Sequence, residues 1–360
     1  MVFDTGRVKA GKEMSIKHQC RTEEHILHLD LYYFLCILLI LFKAIMMYSN
    51  HFLPLGISLL LAIPAINAQY FLAATYNAAN FFDDFTFFTA ADPTEGYVIY
   101  EPLAAAEEAG LVSTANNQVY LGVDHTTLNP SGGRESVRLS SNQAWSKGVF
   151  IADIEHMPAG ICGIWPAFWM FGANWPNNGE IDIIEGVNLG TTDTITLHTA
   201  AGCTVSNVNS QSGTTTLTTN CNQDNAGTGC SVSTSSNLNY GTGFNSIGGG
   251  VYAMQWASTG IYVWFWPRGS IPADITANDI DVSSWGTPLA TFTGSGCDFD
   301  TSFANQNIVF DTTFCGTWAG SVWSSGSCAS AASTCDAYVA ENPSAFSNAY
   351  WLVNYVQVWQ

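Results

Sequence analysis

Three carboxylates within six residues are the strongest chemical signal in the chain. The segment reads Asn-Gly-Glu-Ile-Asp-Ile-Ile-Glu-Gly-Val-Asn, and its acids are Glu180, Asp182 and Glu185. Successive side chains of a strand point to opposite faces, so Glu180 and Asp182 share one face, while Ile181 and Ile183 face a hydrophobic layer. Glu185 lies at an odd offset from Glu180, and a one-residue β-bulge after Asp182 would return it to the acidic face. The sequence therefore predicts three acids side by side on a bulged strand.

Three acids with no nearby cation are electrostatically unfavourable, because each charge opposes the ionisation of its neighbours. A solvated strand face is the ordinary explanation of such a group. Here the flanking residues 163–169 read Gly-Ile-Trp-Pro-Ala-Phe-Trp, and Trp175 follows them. Flat aromatic faces beside acids and amides are well suited to binding sugars, since the ring packs on C–H groups while the polar groups take the hydroxyls.

A pair of carboxylates predicts glycoside hydrolysis through an oxocarbenium-like transition state. Retaining enzymes hold the two carboxyl groups about 5–5.5 Å apart, one as nucleophile and one as general acid. We assign Glu180 as the nucleophile and Glu185 as the acid/base, an order that spacing alone does not determine. Asp182 would hydrogen-bond the nucleophile, and repulsion between like charges should raise the pKa of the acid/base.

Composition excludes several classes of protein. The 360 residues include 29 acidic and 10 basic side chains, a formal net charge of −19, which argues against nucleic-acid binding. An aromatic content of 13% argues against disorder. Six of the ten basic residues and five of the acidic ones precede residue 69, which leaves four basic and 24 acidic residues in 69–360. Such a surface suits an acidic exterior medium and a neutral partner.

Residues 1–68 are predicted to be a leader region rather than part of the fold. An apolar run at 52–66 ends in Ile66-Asn67-Ala68, a pattern typical of signal-peptidase cleavage. The alternative is a signal anchor through the earlier run at 31–42, with the basic residues before it held inside. Both interpretations place a single domain, 69–360, outside the cytosol, secreted or in the cell wall. Membrane association is expected only if the anchor is retained.

Eight cysteines remain after residue 68, and an even number in an exported chain predicts up to four disulfides. They are Cys162, Cys203, Cys221, Cys230, Cys297, Cys315, Cys328 and Cys335. Eight cysteines allow 105 pairings, so the connectivity stays open. The Ser/Thr/Asn-rich stretch 204–239 resembles a long loop that its cysteines pin. No Cys-x-x-Cys or His-rich spacing indicates zinc, and we expect no metal and no cofactor.

Short alternating runs separated by turn residues predict an all-β sandwich. In the last run, Leu352, Asn354, Val356 and Val358 are expected on one face. The predicted strands are 119–123, 136–139, 148–154, 251–256, 260–265, 307–310 and 350–359.

The run Glu-Ile-Asp-Ile-Ile-Glu, with Trp-Pro before it, resembles glycoside hydrolase family 16, and most of all the fungal secreted laminarinase-like endo-1,3(4)-β-glucanases. The chain has the longer, bulged form of the family motif rather than Glu-x-Asp-x-Glu. Residues 133–138, 197–199, 315–320 and 350–359 also resemble family blocks. The resemblance implies a β-jelly-roll sandwich of two antiparallel sheets with a concave substrate cleft. It also implies retaining hydrolysis of β-1,3- or mixed β-1,3/1,4-glucan, and supports the order assigned to Glu180 and Glu185.

Further site residues follow from the same resemblance. His198 is expected on the adjoining strand near the acid/base, or else as an isolated histidine between strands. Arg134 is a candidate donor to sugar hydroxyls, or else a structural partner of an acid, and Asn188 is expected in a turn. Some family members bind structural calcium, but no acidic cluster marks such a site here. The leading sugar platforms are Trp169 and Trp175, followed by Trp256 and Trp318.

Two other functions use the same features. A transglycosylase that remodels cell-wall polysaccharide would keep the same carboxylates and transfer glycosyl groups to sugars instead of water. A non-catalytic glucan-binding lectin should have lost at least one Glu of the triplet, and both are present. A metal-binding carboxylate site is disfavoured, because hard cations take ligands from several segments. We expect a monomer whose partner is β-glucan.

Overall fold

The structure is a computed structural model that describes residues 69–158, 160–206, 211–224 and 228–360. The predicted leader or anchor in 1–68 lies outside these residues and stays a prediction. Within the described part, no helix is long and apolar enough to span a bilayer.

Strands dominate the described residues, and the helices are short. The strands are β1 (Leu72–Asn77), β2 (Phe85–Phe87), β3 (Val98–Tyr100), β4 (Val112–Ser113), β5 (Val119–Leu121), β6 (Arg134–Ser136), β7 (Arg138–Trp145), β8 (Gly148–His156), β9 (Ile164–Gly172), β10 (Glu180–Glu185), β11 (Thr194–His198), β12 (Thr214–Thr218), β13 (Cys230–Thr234), β14 (Gly250–Ala257), β15 (Gly260–Pro267), β16 (Ala290–Thr293), β17 (Gln306–Phe314) and β18 (Trp351–Trp359). The α-helices are α1 (Phe81–Asp84), α2 (Leu103–Glu108), α3 (Gly241–Ser246), α4 (Ala273–Ala277), α5 (Phe299–Ser302) and α6 (Cys335–Glu341). Single 3-10 turns lie at Ala115–Asn117, Arg268–Ser270, Val282–Ser284, Trp323–Ser325, Ser327–Ser330 and Pro343–Phe346, and a π-helical turn lies at Gly316–Gly320.

Two eight-stranded antiparallel sheets form the sandwich. The first sheet runs in the order β16-β15-β14-β8-β18-β5-β4, with β1 also paired to β18. The second sheet runs β12-β13-β11-β10-β9-β17-β7-β2. A separate parallel pair joins β3 and β6. This architecture confirms the predicted all-β jelly-roll sandwich.

The core lies between the two sheets. Phe310 of the second sheet meets Trp351 of the first edge to face, with ring centroids 5.5 Å apart, and stacks on Phe168 at 4.5 Å. Both sheets contribute to this one apolar cluster. Since alternate residues of each strand face the core, the remaining residues of the second sheet point outward. We call that outward side, on β9, β10, β11 and β17, the open face.

Six of the seven predicted runs each overlap one strand, and the run 136–139 instead spans the end of β6 and the start of β7. The face assignment in the last run is wrong. Trp351 and Val353 lie in the core, and so do Val356 and Val358. The register of β18 against β8 shifts between Val353 and Tyr355. This irregularity inserts an extra residue. The residues that face the core are therefore odd-numbered before it and even-numbered after it.

All eight cysteines are paired, as the even count predicts. Two bridges, Cys203–Cys297 and Cys221–Cys230, pin the long loop region that follows β11. The other two, Cys162–Cys328 and Cys315–Cys335, fasten the segment that follows β17. That segment contains Trp318, so two covalent links define where this tryptophan lies.

The two ends of the described domain meet at the edge of the β1–β18 pair. The backbone N–H of Phe71 donates to the carbonyl of Gln360 at 2.8 Å, and that of Gln360 donates to Phe71 at 2.9 Å. Strand β1 is antiparallel to β18. The first and last residues of the fold therefore lie side by side.

Candidate active site

The bulge predicted in β10 is present. Asp182 pairs with Trp169 of β9, and Ile184 pairs with the next residue, Phe168, so Ile183 is the extra residue. The three isoleucines of the segment are almost fully buried. Because the bulge restores the alternation, Glu180, Asp182 and Glu185 all lie on the open face.

His198 lies on the adjoining strand, as expected, but beside Glu180 and Asp182 rather than next to the assigned acid/base. It stands on β11 directly opposite Glu180, and its Nε2 lies 3.4 Å from Asp182 Oδ2. One donor or acceptor atom from each of Glu180, Asp182 and His198 lies within 4.8 Å of the others. The structure thus brings an imidazole into the carboxylate cluster rather than leaving it isolated between strands.

Asp182 is the most buried of the three acids, with 2% of its surface exposed. Burial raises its pKa well above the usual range, and the negative charge of Glu180 raises that pKa further. The raised pKa keeps Asp182 protonated to a higher pH than an exposed aspartate.

Glu185 has the environment of a proton donor. Burial raises its pKa well above the usual range, and the charge of Asp182 acts in the same direction. Trp165 Nε1 donates to Glu185 Oε1 at 2.7 Å, and this hydrogen bond and the charge of His198 lower the pKa of Glu185. Burial is the largest of these influences, so the net effect keeps Glu185 protonated over a wider pH range.

Glu180 is held by an exposed tryptophan. Trp175 Nε1 donates to Glu180 Oε2, and 44% of the surface of Trp175 is exposed. The hydrogen bond occupies one carboxylate oxygen and orients the other. Trp175 therefore combines an accessible ring with direct contact to the carboxylate assigned as nucleophile.

Two further predicted tryptophans lie close to the acids. Trp169 is half-buried opposite Asp182, stacks on Phe171 at 5.0 Å, and has the Arg138 guanidinium 4.8 Å from its ring centre. Trp318, also half-buried, meets Trp165 edge to face at 5.6 Å. The acids thus have aromatic side chains around them on several elements.

Two predicted sugar contacts are not supported by the structure. Trp256 lies in the core between the sheets with 1% of its surface exposed, so no sugar ring can stack on it. Arg134 is fully buried, donates to Asp124 Oδ2 at 2.7 Å, and donates through Nε to the carbonyl of Val339 at 3.1 Å. The alternative interpretation of Arg134, a structural partner of an acid, is the one that fits.

The open face also carries a charged group that was not predicted from the sequence. Arg138 Nη1 lies 4.0 Å from both Asp92 Oδ1 and Asp311 Oδ2. Burial raises the pKa of Asp311 to about 7, although the charge of Arg138 lowers it. Asp311 directly follows the predicted strand 307–310. Extending the alternation of that strand by one residue would have placed Asp311 on the same face as Asn307 and Val309.

Asn188 is a turn residue, as predicted. Its φ is 54°, in the left-handed region. Its Oδ1 accepts from Gly163 N at 2.7 Å and its Nδ2 donates to the carbonyl of Ala319 at 2.9 Å. It therefore ties the turn after β10 to the start of β9 and to the Trp318 segment.

Two groups of side chains have the composition of metal ligands within the described residues. In the first, Cys315 and Cys335 form a disulfide, so their sulfurs are not available beside Asp336. The second consists of Glu180, Asp182 and His198. These side chains belong to the carboxylate cluster and come from the neighbouring strands β10 and β11.

Comparison with known proteins identifies the family. The model of the XgeA-like catalytic domain of glycoside hydrolase family 16 matches residues 85–359. The chain belongs to glycoside hydrolase family 16. The matched range contains all three acids of β10 and every strand of the two large sheets except β1.

A relative within the family shares nearly half of the aligned residues. A probable endo-1,3(4)-β-glucanase of Aspergillus niger is 48% identical over 308 residues, which cover 83% of this chain but only 41% of that protein. This chain therefore spans less than half the length of that curated relative.

Two solved structures are similar over their whole length. An elongating family 16 β-1,3-glucosyltransferase is 45% identical, with a TM-score of 0.75, over 81% of this chain and 100% of that one. Laminarinase 16A from Phanerochaete chrysosporium is 40% identical, with a TM-score of 0.76 and the same coverage. The latter structure holds β-glucans, 6-O-glucosyl-laminaritriose, in both donor and acceptor sites.

Proposed function

We propose that residues 69–360 catalyse the retaining endo-hydrolysis of β-1,3- or mixed β-1,3/1,4-glucans. The observation that carries the proposal is the alignment of Glu180, Asp182 and Glu185 on the open face across the β10 bulge. The names of the relatives supply the substrate class, since they include an endo-1,3(4)-β-glucanase and a laminarinase. A neutral polysaccharide also suits a domain with four basic and 24 acidic residues.

The proposed reaction has two steps. Glu180 is the nucleophile, and Glu185 acts as the acid in the first step and as the base in the second. Glu180 attacks the anomeric carbon while Glu185 gives its proton to the leaving glycosidic oxygen, which forms a glycosyl-enzyme ester. Glu185, now ionised, takes a proton from water, and the water oxygen displaces Glu180 from the sugar. Two inversions restore the original configuration, and both carboxyl groups return to their starting protonation states.

The surroundings fit these two roles. Trp175 donates to Glu180 and so orients it for attack, and its exposed ring offers a platform for a sugar. Burial keeps Glu185 protonated until the leaving oxygen needs the proton. Trp169 and Trp318 are further candidate platforms, and His198 is placed to balance charge within the cluster.

We also propose that the domain acts as a monomer outside the cytosol. Its four disulfides are of a kind that persists in oxidising compartments. Fractionation of the native producer, followed by activity assays on medium, wall and membrane fractions, tests the location. Size-exclusion chromatography with light scattering tests the oligomeric state.

Replacing either glutamate should remove hydrolysis without unfolding the protein. We expect Glu180→Gln and Glu185→Gln to lower kcat on laminarin by about 10³-fold or more, because each step loses its nucleophile or its proton. Reducing-end assays on laminarin, barley mixed-linkage glucan, cellulose and xylan measure this. Glu155→Gln, an exposed position on β8 of the first sheet, is the matched control and should keep wild-type rates.

Azide distinguishes the two glutamates. In Glu180→Ala the small anion can enter the vacated space and attack the anomeric carbon directly, so activity should return with an inverted glycosyl azide product. The anomeric configuration is read by NMR. Wild-type rates in either Gln variant, or a retained configuration in the azide product of Glu180→Ala, would contradict the assignment.

Glycosyl transfer is the second candidate function. It is favoured by the 45% identity to an elongating β-1,3-glucosyltransferase that the chain covers completely. The same glycosyl-enzyme would then react with a sugar hydroxyl instead of water. Chromatography of laminarioligosaccharide digests separates the two, because transfer produces longer oligosaccharides while the number of reducing ends stays constant.

A further inference from the structure

Asp193 is a buried acid directly behind the catalytic strand. It lies in the connection between β10 and β11 with 0% of its surface exposed. Its Oδ1 accepts from the backbone N–H of Glu185 at 2.9 Å, and its Oδ2 lies 3.0 Å from the hydroxyl of Tyr252. It therefore contacts the end of the bulged segment through the main chain rather than through the reacting carboxyl groups.

The contacts of Tyr252 determine where one proton must lie. Its hydroxyl also lies 2.6 Å from the backbone carbonyl of Asn239, and a carbonyl can only accept. A hydroxyl has a single hydrogen, and the shorter contact takes it. The contact with Asp193 Oδ2 then needs a hydrogen from the carboxyl group, so the carboxyl is the donor and the phenol oxygen the acceptor.

Neighbouring hydrogen bonds hold both partners in place. The N–H of Asp193 donates to Thr234 Oγ1 at 2.9 Å, and that hydroxyl donates to Asn239 Oδ1 at 3.0 Å. Each of these hydrogen bonds then has one donor and one acceptor. A closed set of this kind leaves Asp193 few alternative orientations.

The charged surroundings also favour a neutral carboxyl. The titratable groups that face Asp193 among the described residues are Asp182, Glu185, Tyr240 and Tyr252, and none carries a positive charge. Burial raises the pKa of Asp193 to about 8, and it outweighs the contact with Tyr252 and the hydrogen bonds from the backbone N–H groups of Glu185 and Thr194, which lower this pKa. An additional negative charge beside Asp182 and Glu185 would oppose ionisation of the cluster, whereas a neutral acid does not.

We propose that Asp193, as a protonated carboxylic acid, is a positioning residue that fixes Glu185 through its main-chain N–H at the end of the bulged segment. The proposal rests on the acid/base role proposed for Glu185. Asp193 touches neither substrate nor reacting atoms. It fixes the position of the Glu185 main chain, and therefore of the Glu185 side chain. Because Asp193 is neutral, it adds no negative charge beside the cluster.

Two substitutions at this position separate a neutral acid from an ionised one. The amide of Asp193→Asn can accept from Glu185 N and donate to Tyr252, so kcat, KM and the pH profile should stay within about twofold of wild type. Asp193→Ala loses both bonds, and kcat should fall up to about 10²-fold with little change in KM, as expected for a misplaced catalytic group. Asp279→Asn, an exposed position, is the control for loss of an acid.

Two readouts do not depend on activity. The infrared difference spectrum of wild type minus Asp193→Asn at pH 5 should contain the carbonyl stretch of a protonated carboxylic acid. Amide hydrogen exchange should show Glu185 N–H protected in wild type and Asp193→Asn but not in Asp193→Ala. If Asp193→Ala fails to fold, the spectrum and the Asn variant still decide the question.

The outcomes separate this proposal from the proposed function. A difference spectrum without the carboxylic acid band would show that Asp193 is ionised, and it would overturn the proposal. A shift of the alkaline limb of the pH profile to lower pH in Asp193→Asn would show the same. An unchanged kcat in a folded Asp193→Ala variant would also overturn the proposal, because Glu185 would then be positioned without Asp193. A wild-type protein inactive on every glucan, but with the band and the protected amide present, would instead overturn the proposed function alone.

Discussion

At the scale of single residues, opposing influences act on Glu185. Burial and the charge of Asp182 raise its pKa, while the Trp165 hydrogen bond and the charge of His198 lower it. A proton donor works best when its pKa lies near the working pH. Trp165 and His198 therefore limit a shift that burial alone would make larger, and each offers a means of testing the assignment.

Trp165→Phe should move the alkaline limb of the pH–activity profile to higher pH. The variant keeps the ring but loses the Nε1–H donor that favours the ionised form of Glu185. We expect a displacement of about one to two pH units, because a hydrogen bond to a charged group contributes about 1.5–3 kcal/mol and each pKa unit corresponds to about 1.4 kcal/mol. The profile of kcat/KM on laminarin measures it.

Trp264→Phe is the matched control for that experiment. Trp264 Nε1 donates to the carbonyl of Gly286 in a cluster on the other sheet, so its loss should leave the profile in place. A limb that moves to lower pH in Trp165→Phe would contradict the role of this hydrogen bond.

The sequence predicts the acids better than their partners. The placement of Glu180, Asp182 and Glu185 on one face follows from the alternation of a strand and one bulge. The failures of Arg134 and Trp256 have a common physical cause. A single sequence does not reveal which large side chains the fold buries, and both of these are buried. Trp256 lies between the two sheets, and Arg134 lies against Asp124 and Val339.

At the scale of elements, one of the two strand irregularities can be predicted from the sequence and the other cannot. The bulge in β10 is predictable because acids at odd spacing would otherwise place a charge among buried isoleucines. The irregularity in β18 is not, because both faces of that strand carry apolar residues and either phase looks acceptable. Strand β9 was not predicted for a related reason, since its nine residues are mostly large and apolar without alternation and include Pro166.

Removing the longest-range disulfide should cost more stability than removing the shortest. The paired cysteines are 166 residues apart in Cys162–Cys328 and 9 apart in Cys221–Cys230. A bridge that closes a longer loop removes more entropy from the unfolded chain. Urea denaturation of the two double Cys→Ala variants should show a loss of about 3–5 kcal/mol for the first and a smaller loss for the second. Equal losses would mean that strain or local packing, not loop length, dominates.

At the scale of the whole molecule, buried acids make stability depend on pH. The pKa of Asp193 is raised to about 8 and that of Asp311 to about 7, and those of Asp182 and Glu185 are raised as well. Between the unfolded pKa near 4 and these values, the folded state binds more protons than the unfolded state. Stability is therefore greatest at the acidic end of this range and is lost as the pH rises.

We expect the Tm to be at least roughly 5 °C higher at pH 4.5 than at pH 8. The excess of 24 acidic over four basic residues acts in the same direction, because protonation reduces self-repulsion. The lowered pKa of Asp124 opposes this only below pH 4, where its ion pair with Arg134 is lost. Calorimetry across this range is the measurement, and a Tm that rises from pH 4.5 to 8 would contradict the assigned shifts.

The meeting of Phe71 and Gln360 has a mechanical consequence. Because β1 and β18 are antiparallel and the two ends of the domain lie at the same end of the pair, tension between residues 69 and 360 would load their hydrogen bonds one at a time. The pair would open like a zipper at low force instead of shearing as a unit. Strand β1 would peel away first, while the second sheet and its carboxylates would bear little of the load.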